Sequence, residues 1–347
     1  MTQITKQTMQ QSMQQTTKQC FKQLVILTGL LGLISTVQAQ TICAFDLGGA
    51  SGDNYAAMKD YALTAKKWNV DINLKPYSNE SAAVADFKAG ECDGLLASSF
   101  STRSFNSYTG SINAIGSIPS NVIARNLMML MGNPKLAGDM VEGDYEAAGI
   151  IPIGSIYLTT KDRTINTLAK MEGKRIGVLE IDPVQARMAF KVGSKPVTMT
   201  IDNAGSKFAT NQIDILPIPS MAFVPLEVNR NIGPNGGIAR FPLSFMTLNL
   251  ILKKDAYPAG FGQKSRSWFA SQTNNMMAKV ARHDASVPAK YWFDISAEEA
   301  VGYLRILRQM RMEFVQNKTY NPRMMSLLKR LRCQQDKTNY ECKLKGE

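Results

Sequence analysis

The segment Met171–Val178, MEGKRIGV, predicts a strand entered through a glycine turn, and it decides how the chain is divided. It opens a succession of short apolar strands and amphipathic helices that continues through PVTMT (196–200) and IDILPIPS (213–220). An earlier succession with the same alternation runs from Thr41 to Ser99. Such alternation is typical of layers in which helices cover parallel strands. The sequence therefore predicts an α/β fold with mainly parallel sheets.

The apolar segment SFMTLNLILKK (244–254) predicts one long strand, which could cross between two lobes and return the chain to the first. We expect lobe 1 at 40–154 with about 248–285. Lobe 2 is expected at 155–247 with about 286–347, where the pattern becomes helical. A chain of this length commonly forms two domains, each with its own core.

The region between the two successions predicts helices and loops over 100–155. Within it, NVIARNLMMLMG (121–132) has the composition of a packed helix. A strand is predicted to restart at IGSIYLTT (153–160).

Residues 1–39 predict an export signal. Met1–Gln23 carries three lysines and no acid, and LVILTGLLGLISTV (24–37) is almost wholly apolar. That run is shorter than the roughly 20 apolar residues of a membrane span. Val37-Gln38-Ala39 suits a signal peptidase, so we expect export to the periplasm and a mature chain that starts at Gln40.

The mature chain is basic. Without the three lysines of the signal, 37 basic residues face 28 acidic ones, a net charge of about +9. This charge favours anionic solutes, anionic surfaces or acidic partner patches. Residues 303–347 carry eleven basic and four acidic residues, but too few aromatic residues to predict nucleic-acid binding. We interpret that region as a solvated helical face or a docking surface for a membrane partner.

Four cysteines remain in the mature chain, namely Cys43, Cys92, Cys333 and Cys342. An even number behind an export signal predicts disulfides, and three pairings are possible. The short spacing of the last two favours a local bridge. The first two lie near the beginnings of the first and third strands, which are neighbours of one another in the commonest doubly wound order. A bridge between them is therefore expected.

The residues needed for catalysis are scarce. His283 is the only histidine, no GxSxG motif occurs, and the cysteines are expected in bridges. The turn LGGASGDN (47–54) lacks the GxGxxG spacing of a dinucleotide site. The sequence therefore predicts a binding protein that is not an enzyme and that uses no cofactor and no metal.

Three segments together resemble the periplasmic solute receptors of tripartite ATP-independent (TRAP) transporters, of the dicarboxylate-receptor type. The segments are YLTTKDRTINTLAKMEGKRIGV (157–178), PVTMTIDNAGSKFATNQIDILPIPS (196–220) and TLNLILKKDAY (247–257). The family pattern at the start of the second lobe is matched by Thr167-Leu168, Glu172-Gly173-Lys174-Arg175-Ile176 and Val178. A second family pattern, a helix followed by Val-Asp-Gly, is met by Gln212-Ile213-Asp214. The resemblance implies a two-lobed type II periplasmic binding protein-like fold, a small-molecule solute as ligand and inner-membrane transporter subunits as partners.

The chain departs from this family where a carboxylate would bind. Family members usually hold the carboxylate with an arginine directly before the valine, because a guanidinium donates two parallel hydrogen bonds. Gly177 stands there in this chain, and a second family arginine expected near Ile156 is also missing. A carboxylate ligand is thus not implied, and an anion would need Arg103 or Arg187 from other directions.

Ligands of open α/β sheets bind beyond the carboxyl ends of the strands, so we predict solute contacts from the loops there. The candidate ligand-binding residues are Ser51, Asn54, Ser98, Ser99, Arg103, Glu180, Arg187, Ser220 and Thr247. The predicted function is a periplasmic receptor that clamps a small polar or anionic solute between two lobes and delivers it to a membrane transporter. The alternative is a periplasmic accessory protein of a resistance-nodulation-division (RND) efflux system. An exported hydrolase is disfavoured because no nucleophile and base form a pair.

Overall fold

The computed structural model describes residues 39–347. Apart from its last residue, the export signal predicted for 1–39 lies outside the described residues. Within 39–347 we find no helix with the length and apolar character needed to cross a membrane.

Strands and helices alternate through most of the described chain. The strands are β1 (Gln40–Phe45), β2 (Ile72–Tyr77), β3 (Gly94–Ser98), β4 (Val141–Glu142), β5 (Tyr145–Thr160), β6 (Arg175–Leu179), β7 (Lys195–Met199), β8 (Ile215–Pro219), β9 (Gly237–Ala239), β10 (Ser244–Lys253) and β11 (Trp292–Phe293). The helices are α1 (Asp53–Lys66), α2 (Glu80–Ala89), α3 (Ser99–Thr102), α4 (Asn121–Leu130), α5 (Leu168–Met171), α6 (Pro183–Lys191), α7 (Ala204–Ala209), α8 (Val228–Asn231), α9 (Phe261–Ser271), α10 (Thr273–Ser286), α11 (Ala297–Gln316) and α12 (Pro322–Gln335).

The strands form one continuous sheet with the order β2-β1-β3-β10-β5-β8-β6-β7, to which the short β4, β9 and β11 are added at the side. We call β1, β2 and β3 the first half of the sheet, and β6, β7 and β8 the second half. Pairs within each half are parallel, whereas β10 is antiparallel to β3 and β5, and β5 is antiparallel to β8. The predicted α/β class is confirmed, but the sheet is mixed and not mainly parallel, because β5 and β10 run through its middle.

The first half follows the sequence prediction closely. Helix α1 buries one stripe of residues, made of Tyr55, Met58, Tyr61, Ala62 and Ala65. The spacing of these residues, at intervals of three and four, puts them on one helical face. Helix α2 then ends at Gly90, whose φ of 93° is favourable only for glycine.

Strand β5 differs from the prediction. It begins at Tyr145, eight residues before the strand predicted at 153–160, and it pairs with β10 from Lys253↔Tyr145 to Ser244↔Ile156. Most of its residues are buried on both faces of the sheet. A strand buried on both faces lacks the alternation of apolar and polar residues that distinguishes a strand from a buried helix.

The second half of the sheet also contains the predicted elements. Pro183 occupies the first turn of α6, and the side chain of Asp182 accepts the backbone N–H of Val184 at 3.3 Å, as a helix cap. The helix is followed by Gly193 with a φ of 72°. Asp182 also accepts a hydrogen bond from Arg103, at 2.9 Å.

Both disulfides form as predicted. Cys43 of β1 bonds to Cys92, which precedes the neighbouring β3, with 5.8 Å between the Cα atoms. Cys333 of α12 bonds to Cys342, also at an ordinary Cα separation of 5.7 Å.

The C-terminal helices contact both halves of the molecule. In α11, Tyr303 lies against Met171 beside the second half, whereas Arg311 Nη1 donates to the carbonyl of Ile115 at 2.9 Å. The lobe boundaries predicted at 40–154 with 248–285, and at 155–247 with 286–347, therefore stay a prediction.

Two of the eleven basic residues in 303–347 are internal. Arg311 and Arg332 are buried and share the carboxylate of Glu341, at 2.6 and 2.7 Å, and both also contact Glu347. Burial alone would raise the pKa of Glu341, but the two guanidinium groups outweigh it and lower that pKa. This part of the basic C-terminal region is thus a packed ion cluster and not a solvated face.

Candidate solute-binding cavity

A cavity of about 150 Å³ lies at the carboxyl ends of strands from both halves of the sheet. Phe45 contributes from β1, Val178 from β6 and Ile218 from β8, while Ile156 and Met246 of the central strands also line it. Ligands in α/β sheets bind at this end of the strands. The cavity is therefore the candidate binding site.

The wall of the cavity is overwhelmingly apolar. Six methionines line it, namely Met171, Met188, Met199, Met221, Met246 and Met310. The polar residues that line it, apart from two tyrosines, are Asp46, Asn54, Asn113, Asp182, Gln185 and Ser244. No lysine, arginine or histidine of residues 39–347 is among the lining residues. In the same range no group of three or more metal-ligating side chains comes together.

Asp46 stabilises the turn 47–54. Its carboxylate accepts backbone N–H groups from Gly48 at 2.8 Å, Asn54 at 2.8 Å and Tyr55 at 3.1 Å. A Cβ at Gly52 would lie 1.9 Å from Asp46 Oδ1, so the turn needs glycine there. The protein's own carboxylate thus occupies the position where an anion could bind at the start of α1. The sequence prediction missed Asp46, although an aspartate directly before a glycine turn and a helix was a usable signal.

All three side-chain nitrogen atoms of Arg103 donate to the protein. Its Nη1 donates to Asp182 Oδ1 at 2.9 Å, its Nη2 to Asn113 Oδ1 at 2.9 Å, and its Nε to the carbonyl of Gly110 at 3.0 Å. The guanidinium also lies over the ring of Tyr320 at 5.5 Å. Arg103 therefore joins residues that follow β3 to the start of α6 across the cavity rim.

Asn54 is the one predicted ligand-binding residue that lines the cavity. Ser98 caps α3 by accepting the N–H of Ser101. Ser220 donates to Asp284 at 2.7 Å, and Thr247 donates to Asn249 at 2.9 Å. These three hydroxyls are thus used by the protein's own structure.

The remaining predicted residues lie apart from the cavity. Ser51 is exposed, and Ser99 is buried beside Ser98. Glu180 lines a separate small crevice, and Arg187 is exposed with its guanidinium 5.3 Å from the ring of Phe314. Polar residues at strand ends were favoured by the sequence prediction, whereas the residues that the structure brings together at the cavity are mostly apolar.

Gly177 shows why the family arginine has no counterpart here. A Cβ at this position would lie 2.7 Å from Met199 Sδ and 3.1 Å from Ile213 Cδ1. The space that a longer side chain would enter is filled by these apolar groups. The packing around Gly177 therefore leaves no room for an arginine side chain in that direction.

Glu80 is a buried acid beside the crevice that contains Glu180. Its Oε1 accepts the backbone N–H of Ser98 at 2.6 Å, and its Oε2 has no partner. Burial raises the pKa of Glu80 above 4.5, and the contacts with Ser98 offset only part of this effect. Because the folded chain then holds this proton more tightly than the unfolded chain, stability falls as the pH rises above 4.5.

The substitution Glu80→Gln is expected to raise the melting temperature at pH 8, with a gain that shrinks towards pH 5. Glutamine keeps an oxygen for Ser98 and cannot ionise. Each 1 kcal/mol gained corresponds to roughly 1–2 °C in a chain of about 300 residues, because the entropy of unfolding grows with chain length. Calorimetry between pH 5 and pH 8 measures the effect, with Glu180→Gln as the exposed control from the same crevice. A gain that is equal at both pH values would contradict the role of ionisation.

Comparison with known proteins decides the family. Residues 62–347 match the profile of the family described as solute-binding protein AdeT 1/2. The chain belongs to the AdeT 1/2 family. The chain is 44% identical over 303 residues to the probable solute-binding protein AdeT1 of Acinetobacter baumannii, in an alignment that covers 87% of this chain and all of that relative. It is 36% identical over 233 residues to AdeT2 of the same organism, covering 67% of this chain and 98% of that one.

Solved structures confirm the fold of this AdeT family member. A TRAP periplasmic solute-binding protein from Rhodoferax ferrireducens, with bound malonate, matches with a TM-score of 0.67 at 12% identity, over 85% of this chain and 98% of that one. One from Desulfovibrio salexigens, with bound orotic acid, matches with a TM-score of 0.66 at 11% identity, over 85% and 99%. The chain therefore has the α/β periplasmic binding protein-like fold of TRAP solute-binding proteins, and it belongs to a family of binding proteins, as predicted, and not of enzymes.

Proposed function

We propose that this protein is a periplasmic receptor that encloses one small solute in the central cavity and delivers it to inner-membrane transporter subunits. The observation that carries the proposal is the cavity itself, which lies at the strand ends and is walled by residues from both halves of the sheet. Membership of a solute-binding family and the fold of TRAP receptors support it.

The two predicted lobes would close on the solute. We propose that they comprise 40–154 with 248–285 and 155–247 with 286–347. Contacts that a solute makes with both sides stabilise the closed form, as in hinge closure around ligands. The bridge between Arg103 and Asp182 spans the same gap, so it would add to the stability of that form.

Two observations support a periplasmic location. The chain contains two disulfides, which persist in oxidising compartments. The solved proteins that share its fold are periplasmic solute-binding proteins. Export would use the signal predicted at 1–39. No observation within 39–347 favours the accessory role in RND efflux over the receptor, so we do not propose that role.

Native mass spectrometry of the chain purified from the periplasm tests the receptor function. We expect a fraction of the protein to carry one retained small molecule, which denaturing conditions release. Ala222 lines the cavity, and Ala222→Leu is the matched variant that should reduce the retained fraction. A protein that retains nothing and shows no thermal shift with any member of a solute library would overturn the proposal, and capture of efflux-pump subunits instead would support the alternative.

A further inference from the structure

The charge of the cavity wall separates this protein from a receptor for organic acids. None of the lining residues in the described chain is a cation, and two of them, Asp46 and Asp182, are acids. Arg103, which lies at the rim, already donates from three nitrogen atoms to protein oxygens. A carboxylate in this cavity would be buried without a charged partner, which is strongly unfavourable.

A cationic solute is also poorly matched. The oxygens of Asp46 accept three backbone N–H groups, and those of Asp182 are held by Arg103, Val184 and Gln185. Both acids are therefore compensated by the protein. Tyr303 and Tyr320, which also line the cavity, are neutral, because burial raises the pKa of each to about 12. The wall as a whole fits a molecule without net charge.

Among the buried side-chain nitrogen and oxygen atoms of the residues that line the cavity, Asn113 Nδ2 has no partner in the protein. Asn113 is 3% exposed, and its Oδ1 accepts from Arg103 at 2.9 Å. Because a guanidinium can only donate, this contact fixes which end of the amide is the oxygen. The Nδ2 at the other end is buried without a partner in the protein. A buried donor of this kind favours a ligand that offers an acceptor oxygen.

The size and the side chains of the cavity indicate how large the ligand is. An engineered apolar protein cavity of about 150 Å³ accommodates benzene, and the cavity here has about the same volume. Six methionines in the wall add adaptability, since their unbranched side chains fit irregular apolar surfaces and contact aromatic rings favourably.

We infer that the cavity binds a neutral, mainly hydrophobic molecule about the size of one substituted aromatic ring, anchored at one acceptor oxygen by Asn113 Nδ2. This inference rests on the proposed receptor function and names its solute class. It replaces the polar or anionic solute expected from the sequence, and it sets this chain apart from the structural relatives solved with malonate and orotic acid.

Three probes of similar size test the ligand class on the mature protein. Methyl benzoate is neutral with acceptor oxygens, isopropylbenzene is neutral without one, and sodium benzoate is an anion. Isothermal titration calorimetry and saturation-transfer NMR measure their binding. We expect methyl benzoate to bind most tightly. Isopropylbenzene should bind about tenfold more weakly, because it cannot accept the hydrogen bond. Benzoate should bind more weakly than either neutral probe.

Variants separate the anchor from the apolar wall. Asn113→Asp keeps an acceptor for Arg103 but loses the Nδ2 donor, so it should weaken methyl benzoate about tenfold and leave isopropylbenzene nearly unchanged. Ala222→Leu and Ala189→Leu each reduce the cavity and should weaken both neutral probes. Arg187→Met, at an exposed site, is the control. An equal loss of both neutral probes in Asn113→Asp would overturn the anchor.

The outcomes distinguish the ligand class from the receptor function. Tighter binding of benzoate than of both neutral probes would overturn the ligand class and leave the receptor standing. If no probe binds, the molecule retained by the native protein decides: a neutral apolar compound supports the inference, and an organic acid overturns it. If no probe binds and nothing is retained, the receptor function itself fails.

Discussion

Replacement of Arg103 by methionine is expected to lower the free energy of unfolding by about 3–5 kcal/mol, the usual cost of removing one partner of a buried ion pair. The arginine side chain is 14% exposed and its partner Asp182 only 2%. Without the guanidinium, the carboxylate of Asp182 and the Oδ1 of Asn113 would stay buried with fewer partners. Denaturation in guanidinium chloride, followed by circular dichroism, measures the loss.

Two further variants make this result specific. Arg187→Met removes the same charge at an exposed site and should cost less than about 1 kcal/mol. The double variant Arg103→Met/Asp182→Asn should recover much of the loss, because asparagine is uncharged and still a good helix cap for α6. A single Arg103 variant no less stable than the Arg187 variant would contradict the buried-pair explanation.

Removal of the disulfide between Cys43 and Cys92 is the second large effect. The bridge closes a loop of 49 residues, and in the chain-entropy account its loss costs roughly 4 kcal/mol. The bridge between Cys333 and Cys342 closes only 9 residues, and its loss should cost roughly 2.5 kcal/mol.

The two bridges serve as controls for each other. Paired substitutions, Cys43→Ala/Cys92→Ala and Cys333→Ala/Cys342→Ala, are compared by equilibrium denaturation under identical conditions. Equal losses in the two variants, or a larger loss for the C-terminal bridge, would show that loop length does not govern the stabilisation here.

The elements that were predicted well are those with a local signal. The strands and helices within 41–99 and 171–220 followed from the local alternation of short apolar strands and amphipathic helices. The neighbouring positions of Cys43 and Cys92 followed from strand order. The extent of β5 and its antiparallel pairing depend on distant partners, which a local pattern does not contain.

The candidate site was harder to predict, because its residues are of the kind that also build cores. In sequence, Met199 or Ile218 cannot be told apart from core residues, so polar residues at strand ends were favoured. Arg103 was identified as important, but its three acceptors come from residues 110, 113 and 182, and only the fold brings them together. Gly177 was the informative residue, since its lack of a side chain already pointed away from a carboxylate.

The continuous sheet has a consequence for dissecting the molecule. Strands β5 and β10 lie side by side at its centre, although 83 residues (161–243) separate them along the chain. Any fragment cut between them would keep a long, apolar strand with unsatisfied backbone groups along one side, which is a template for aggregation. Separate expression of the two halves should therefore give insoluble material. Co-expression should restore the pairing of β5 with β10 and so increase the soluble fraction.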